Sequence, residues 1–334
     1  MIEAVPNFTE EDIQKMLDNL DSFTEEEVVE VDRLVEELSV RKQNQLAYDD
    51  LIDFCKVMMP DFIVGKHHRI LADRLMAIER GDKDRVCVNI PPRHGKSQLV
   101  SIFYPAWFLG RNPNKKVMMV SHTTDLAVDF GRKVRNLIAT PEYKAIFPVV
   151  KLAVDSKSAG RWNTSAGGEY YACGVGSALA GRGADLLLVD DPHSEQDVIN
   201  GNFSVFEKTY EWYTFGARTR LMPGGRVAII QTRWHMDDLT GRVVKDMAQN
   251  DRSDQFEVIE FPAILEFEDN KSKKTVEKPL WPEFFDLEAL LRTKASMPTF
   301  QWNAQYQQKP TAEEASIVKR EWWNWWGDED PPSC

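Results

Sequence analysis

The spacing of apolar positions changes its period along the chain, and the change divides it. Thr9-Glu-Glu-Asp and Thr24-Glu-Glu-Glu each set a threonine N-cap before an acidic first turn. Val28, Val31, Leu34, Val35 and Leu38 then recur at helical spacing, so residues 9–45 read as two acidic helices. Residues 46–80 read as helix again, with turn signals at Pro60-Asp61 and Gly65. From residue 85 the pattern switches to short continuous apolar runs, at 85–90, 117–121, 169–173, 186–189, 226–231 and 256–260. Amphipathic stretches separate them at 97–109, 124–139, 203–221 and 236–249. Strands that are apolar on both faces, alternating with helices, predict an α/β fold with a mostly parallel central sheet flanked by helices. Residues 267–282 are polar and read as a loop. The expected organisation is an acidic helical segment over 1–50, a core over 51–265 and a C-terminal segment over 266–334.

Charge sharpens this division. The 334 residues carry a net charge of −12, yet residues 1–50 hold 15 Asp/Glu against 4 Lys/Arg. The remaining body is therefore close to neutral, and the overall acidity does not exclude a nucleic-acid partner. No run of 18 apolar residues occurs, so no membrane-spanning helix is expected. The N-terminus lacks the basic and apolar regions of a signal peptide. Cys55, Cys87, Cys173 and Cys334 are far apart and form no C-x-x-C pair, which suggests neither a zinc site nor a disulfide framework.

The candidate chemistry starts where the first strand ends. Ile90-Pro-Pro-Arg-His-Gly-Lys-Ser97 is a phosphate-binding loop whose first glycine is replaced by Ile90. Gly95 lets backbone approach a phosphate, Lys96 would reach the β- and γ-phosphates, and the Ser97 hydroxyl would bind Mg²⁺. Pro91 and Pro92 have no N–H to donate, so the cradling amides come from Arg93 onward, up to the start of the following helix. Residues Pro92, Arg93, His94, Gly95, Lys96, Ser97 and Gln98 are thus the candidate ATP-binding set.

Such a loop needs an acidic strand end. Leu186-Leu-Leu-Val-Asp190-Asp191 supplies one: Asp190 would hold the Mg²⁺ shell and Asp191 would orient or deprotonate the attacking water. The next strand ends in Gln231-Thr232, polar residues placed to sense the γ-phosphate. Arg182, flanked by Gly181 and Gly183, could reach a phosphate as an arginine finger, with Arg93 as competitor for that role. Spacing does not decide which acts in its own molecule and which on a neighbour.

With these motifs in order, the chain resembles the large terminase subunit of tailed bacteriophages, the ATPase of the DNA-packaging motor. The carrying residues are 91–97, Gly181–His193, Gln231–Leu239, Pro279–Glu283 and Phe300–Pro310. The resemblance implies a P-loop NTPase fold of the ASCE/RecA-like type, with Mg²⁺-dependent ATP hydrolysis driving double-stranded DNA into a procapsid. It implies portal protein and small terminase subunit as partners, a homo-oligomeric ring, no membrane, and a place in the host cell cytoplasm. It makes Thr232 the coupling residue and Arg93 the arginine often found in the family's loop. The family usually has Glu where Asp191 stands, and often a Gln upstream for adenine, where His68 is the nearest counterpart. A nuclease domain normally follows. The chain stops at Cys334, soon after Trp322-Trp-Asn-Trp-Trp326, so no nuclease activity is expected, and the tryptophans are expected to pack near the domain junction. The rival readings are a helicase-like ATPase, which would need a second RecA-like core, and a non-enzymatic scaffold, which the intact Lys96, Ser97 and carboxylates oppose.

Overall fold

The computed structural model of the protein describes residues 14–16, 18–19, 22–154, 158–199, 202–268 and 275–311. The turn at Thr9 and the tryptophan cluster at 322–326 lie outside the described residues. Helix α1 (Glu25–Asp49) starts in a capping box: the Glu27 carboxylate accepts the Thr24 N–H at 2.8 Å while the Thr24 hydroxyl accepts the Glu27 N–H. It buries only Val31, Leu34 and Ala47, which leaves the acidic face in solvent. Helices α2 (Leu51–Met58) and α3 (Lys66–Arg80) follow and pack their apolar faces into the core.

The core is a seven-stranded sheet in the order β3-β4-β2-β5-β6-β1-β7. Its strands are β1 (Arg85–Asn89), β2 (Lys116–Ser121), β3 (Arg161–Asn163), β4 (Glu169–Gly174), β5 (Ala184–Asp190), β6 (Leu221–Gln231) and β7 (Glu257–Glu260). All neighbours pair in parallel except β3, a short edge strand antiparallel to β4. The predicted strands are therefore all present, and the parallel sheet explains their apolar runs. Val86, Val88, Leu186, Leu188, Ala228 and Ile230 face one helical layer; Cys87, Leu187, Val189, Val227 and Ile229 face the other. The first layer holds α2, α3, α4 (Tyr104–Arg111), α5 (Thr124–Ala139) and α6 (Pro141–Ile146). Beyond β5 come α7 (Glu195–Ile199) and α8 (Ser204–Glu211), and α9 (Leu239–Gln249) follows β6.

Several elements differ from the sequence expectation. The helix expected over 97–109 opens with a π-helical stretch, Gln98–Phe103, before α4. The one expected over 203–221 passes through π and 3₁₀ turns and gives way to β6 at Leu221. The segment 267–282 is not simply a loop: β8 (Ile264–Glu268) and β9 (Thr275–Pro279) pair as an antiparallel ribbon. Its polarity hid it because the ribbon is largely in solvent; Phe267 is 50% exposed, lies opposite Val276 and has the Lys278 ammonium over its ring. Helices α10 (Leu287–Ala295) and α11 (Thr299–Gln305) complete a small C-terminal module around Ala263, Ile264, Leu290 and Trp302.

The order β5-β6-β1 sets one strand between the loop-bearing strand and the acid-bearing strand. All three end at the same carboxyl edge, the place where open α/β sheets bind ligands.

Candidate active site

Residues 90–97 leave the carboxyl end of β1 and are pinned at once to the neighbouring strand. The Ile90 N–H donates to the Gln231 carbonyl at 3.0 Å, and the Thr232 hydroxyl donates to the Ile90 carbonyl at 3.1 Å. Two residues of the loop sit in the left-handed region, Arg93 at φ 62° and Gly95 at φ 77°. For Gly95 the conformation is enforced twice, since a Cβ there would also strike the His68 ring.

Behind the loop lies a histidine buttress. The His94 carbonyl accepts from His67 Nε2 at 3.1 Å and from His68 Nε2 at 3.0 Å. His68 Nδ1 accepts the Gly65 N–H at 3.0 Å, which fixes its tautomer. Burial lowers the His67 pKa to about 3 and the His68 pKa to about 4, so both rings are neutral and can serve as fixed donors. His68, expected at the adenine, is therefore fully buried with both ring nitrogens taken by backbone, and it supports the loop from within. His94 is also buried; its Nδ1–H donates to the Pro92 carbonyl at 2.8 Å, and its ring stacks on Phe285 at 5.3 Å.

The charged groups converge in front. Lys96 Nζ lies 2.8 Å from Asp191 Oδ2. Burial works against the ammonium, but Asp191 and Asp190 more than reverse this and raise the Lys96 pKa, so the charge is kept. Asp191, at φ 45°, turns sharply at the end of β5, and its Oδ1 accepts the Thr232 N–H at 2.8 Å. Asp190 is buried; its Oδ2 accepts from the Ser101 hydroxyl at 2.6 Å, and the nearby Ser97 hydroxyl favours the charged carboxylate. Burial, then the neighbouring Asp191, pushes the Asp190 pKa up to about 6. Its Oδ1 is buried without a hydrogen-bond partner. An orphaned carboxylate oxygen beside a serine hydroxyl is an all-oxygen donor pair suited to a hard cation that keeps its waters, and Mg²⁺ fits that description.

An open pocket of about 520 Å³ extends from the loop. It is lined by Pro92, Arg93, Gly95, Lys96, Ser97 and Gln98 of the loop and by Met59, Asp61, Phe62, Ile63, Trp281 and Phe284 from other segments. Trp281 stacks on Phe284 at 4.5 Å. A charged loop and an aromatic surface thus share one pocket, the mixture of polar and apolar lining that small-molecule sites use.

Arg182 is not brought to this site within the molecule. Its guanidinium lies over the Tyr171 ring at 4.8 Å and 3.5 Å from Glu169. Glu169 pairs with Lys116, the first residue of β2, which places Arg182 at the amino edge of the sheet. The length of β5 separates it from Asp190, roughly 20 Å at about 3.3 Å per residue.

Sequence reasoning missed three parts of the site. Ser101 carried no motif and reaches Asp190 from the π-helical stretch. The wall of Phe62, Trp281 and Phe284 comes from segments distant in sequence. Asp238 organises the strand-end loop: its fully buried carboxylate accepts from the Arg233 guanidinium at 2.9 and 3.0 Å, from Trp234 N–H at 3.0 Å and from Gly241 N–H at 3.0 Å. An Asp before the apolar start of α9 was a legible N-cap signal.

A family model described as "Terminase large subunit, T4likevirus-type, N-terminal" matches residues 87–324. No curated protein matches the sequence. Among solved structures, the chain is similar to the large-terminase ATPase domain of Thermus phage P74-26, with 17% identity, 71% of this chain and 92% of that one covered, and a TM-score of 0.42. It is similar to the large terminase of bacteriophage HK97, with 13% identity, 75% of this chain covered and a TM-score of 0.46. The chain spans about half, 52%, of the HK97 protein's length. A large terminase from a thermophilic bacteriophage, solved with ADP, is 10% identical, with 73% of this chain and 53% of that one covered and a TM-score of 0.42.

Proposed function

The chain belongs to the T4-like-virus-type terminase large-subunit family, and on that premise we propose that it hydrolyses ATP with Mg²⁺ to drive double-stranded DNA into a procapsid. The observation that carries the reading is the convergence of Lys96, Asp190, Asp191, Ser97 and Thr232 at one sheet edge. Backbone amides from Arg93 to Ser97 bind the phosphates, and the charged Lys96 ammonium compensates the β- and γ-oxygens. Asp190 Oδ1 and the Ser97 hydroxyl would hold the metal and its waters. Bound Mg²⁺ supplies neutralisation of the charge that develops on the phosphate oxygens. Asp191 orients the attacking water and accepts its proton. It already holds Lys96 with one oxygen and Thr232 N–H with the other, so its exchange between these partners and water would be felt at Thr232. Phe62, Trp281 and Phe284 would offer the base an aromatic surface beside the loop.

Arg93 lines the same pocket and serves in its own molecule. Arg182 faces away, so any finger role is played on a neighbouring copy in a ring. Residues 51–265 act as the ATPase body, 1–50 as an appendage that can dock a partner such as the portal or small subunit, and 266–334 as the exit segment. The setting is the host cell cytoplasm, at the procapsid portal. Among the described residues no helix is long and apolar enough to cross a membrane.

The test is ATP turnover by the full chain, alone and with double-stranded DNA and portal-bearing procapsids. Turnover that rises with both additions, and falls on Arg182→Ala only in the assembled motor, is expected. Turnover indifferent to DNA and procapsids would remove the packaging role and leave an ATPase of another purpose.

A further inference from the structure

The C-terminal module touches the two loops of the proposed ATP site at separate points. At the first, Trp281 packs on His68 at 4.8 Å and Phe285 stacks on His94 at 5.3 Å. At the second, the Gln308 side chain reaches the loop that follows β6, where its Oε1 accepts the Arg233 N–H at 3.1 Å. We infer that Gln308 is a positioning residue that ties the Thr232-Arg233 loop to the C-terminal module, so that a change at Asp191 is transmitted to α11. This inference rests on the proposed ATP site.

Gln308 is 1% exposed and sits at φ 59°, a conformation that disfavours residues with a side chain. A turn alone would be served better by glycine, so the side chain offsets a backbone cost. Chemistry fixes how the amide points. An N–H such as that of Arg233 can be met only by the carbonyl oxygen, and the Gln305 carbonyl only by the NH₂, which donates to it. A primary amide satisfies both partners at once; a carboxylate satisfies one.

Both ends of this link are stiff. On the loop side the Arg233 guanidinium is clamped by buried Asp238, which also holds Trp234 N–H and Gly241 N–H. Residue 232, next in the chain, donates its N–H to Asp191 at 2.8 Å. On the module side Trp302 is fully buried and stacks on Tyr306 at 4.6 Å, the Tyr306 carbonyl accepts the Ala263 N–H at 2.6 Å, and Lys309 N–H donates to Asn303 at 2.8 Å. The path from Asp191 to α11 thus runs through Thr232, Arg233 and Gln308. A path is not yet coupling; coupling requires that nucleotide binding change the far element through it.

The experiment is hydrogen exchange of the full chain with and without Mg²⁺ and a non-hydrolysable ATP analogue, on the natural sequence, Gln308→Gly and Gln308→Glu. Glycine accepts the left-handed backbone while deleting the link. Glutamate keeps the acceptor for Arg233 N–H and loses the donor to Gln305. In the natural sequence the analogue is expected to change exchange over both 91–98 and 299–311. In Gln308→Gly the analogue still protects 91–98, with affinity within about twofold, while the response over 299–311 is lost and kcat falls about tenfold. Gln308→Glu keeps part of that response and guards against misfolding of the glycine variant. Equal responses over 299–311 in all three chains would overturn the inference, as would a natural chain that responds only at 91–98. No protection at 91–98 in the natural chain would instead overturn the ATP site itself, and this inference with it.

Discussion

Gly95 and His68 occupy two sides of one contact. Position 95 takes glycine because its backbone is left-handed and the His68 ring fills the space where a Cβ would go; the ring is held there by Gly65 N–H and the His94 carbonyl, which meet both its nitrogens. Neutrality of the buried rings has a pH consequence. His67 and His68 titrate at about 3 and 4 when folded, below the ordinary value of 6.5. Their contribution to stability is complete above pH 6.5 and is lost as pH falls through 4 toward 3, because the unfolded chain binds protons that the folded one refuses. The thermal midpoint should therefore fall over that window, and His68→Gln, which keeps a donor and an acceptor without titrating, should flatten the fall. The effect at stake is on the order of 3 kcal/mol; an unchanged pH slope in the variant would contradict the buttress. The meeting of Lys96 with the Asp190-Asp191 pair was legible in the sequence because each follows an apolar strand run. The role of His68 was not, because sequence places it near the loop but not on which side of it.

At the scale of elements, the π-helical stretch after the loop decides which hydroxyls meet Asp190. Ser101 donates to its carboxylate, with Ser97 close by. A wider turn here lets a second serine sit opposite β5, and π turns of this kind concentrate at functional sites. Ser101→Ala should leave the fold intact and cost about 1–3 kcal/mol, the price of an unmet buried acceptor, which lowers the thermal midpoint by several degrees. It should also raise the Mg²⁺ concentration needed for half-maximal turnover. A variant with unaltered midpoint and unaltered Mg²⁺ dependence would remove Ser101 from the site. The continuous apolar runs made the strands legible because a doubly covered parallel sheet demands them. The ribbon of β8 and β9 was not legible, since its exposed cross-strand pairs leave no one-sided apolar pattern.

Over the whole molecule, the strand order β5-β6-β1 gathers the loop, the acids and Gln231-Thr232 on one edge and leaves Arg182 on the other. The order itself is not written in any local pattern, because it depends on which strands cross over and not on what each strand contains. The same holds for Trp281 and Gln308, which reach the site only when the C-terminal module folds back over it. The acidic N-terminal helix adds charge without adding to the sheet, and its solvated face remains available to a partner. The central claim is that this edge is an ATPase centre, and steady-state ATP turnover of the full chain with Mg²⁺, set beside Lys96→Ala, tests it most directly. Lys96→Ala should keep its fold by circular dichroism and lose turnover by at least about 10²–10³-fold. Turnover in the variant equal to that of the natural chain would place the chemistry elsewhere.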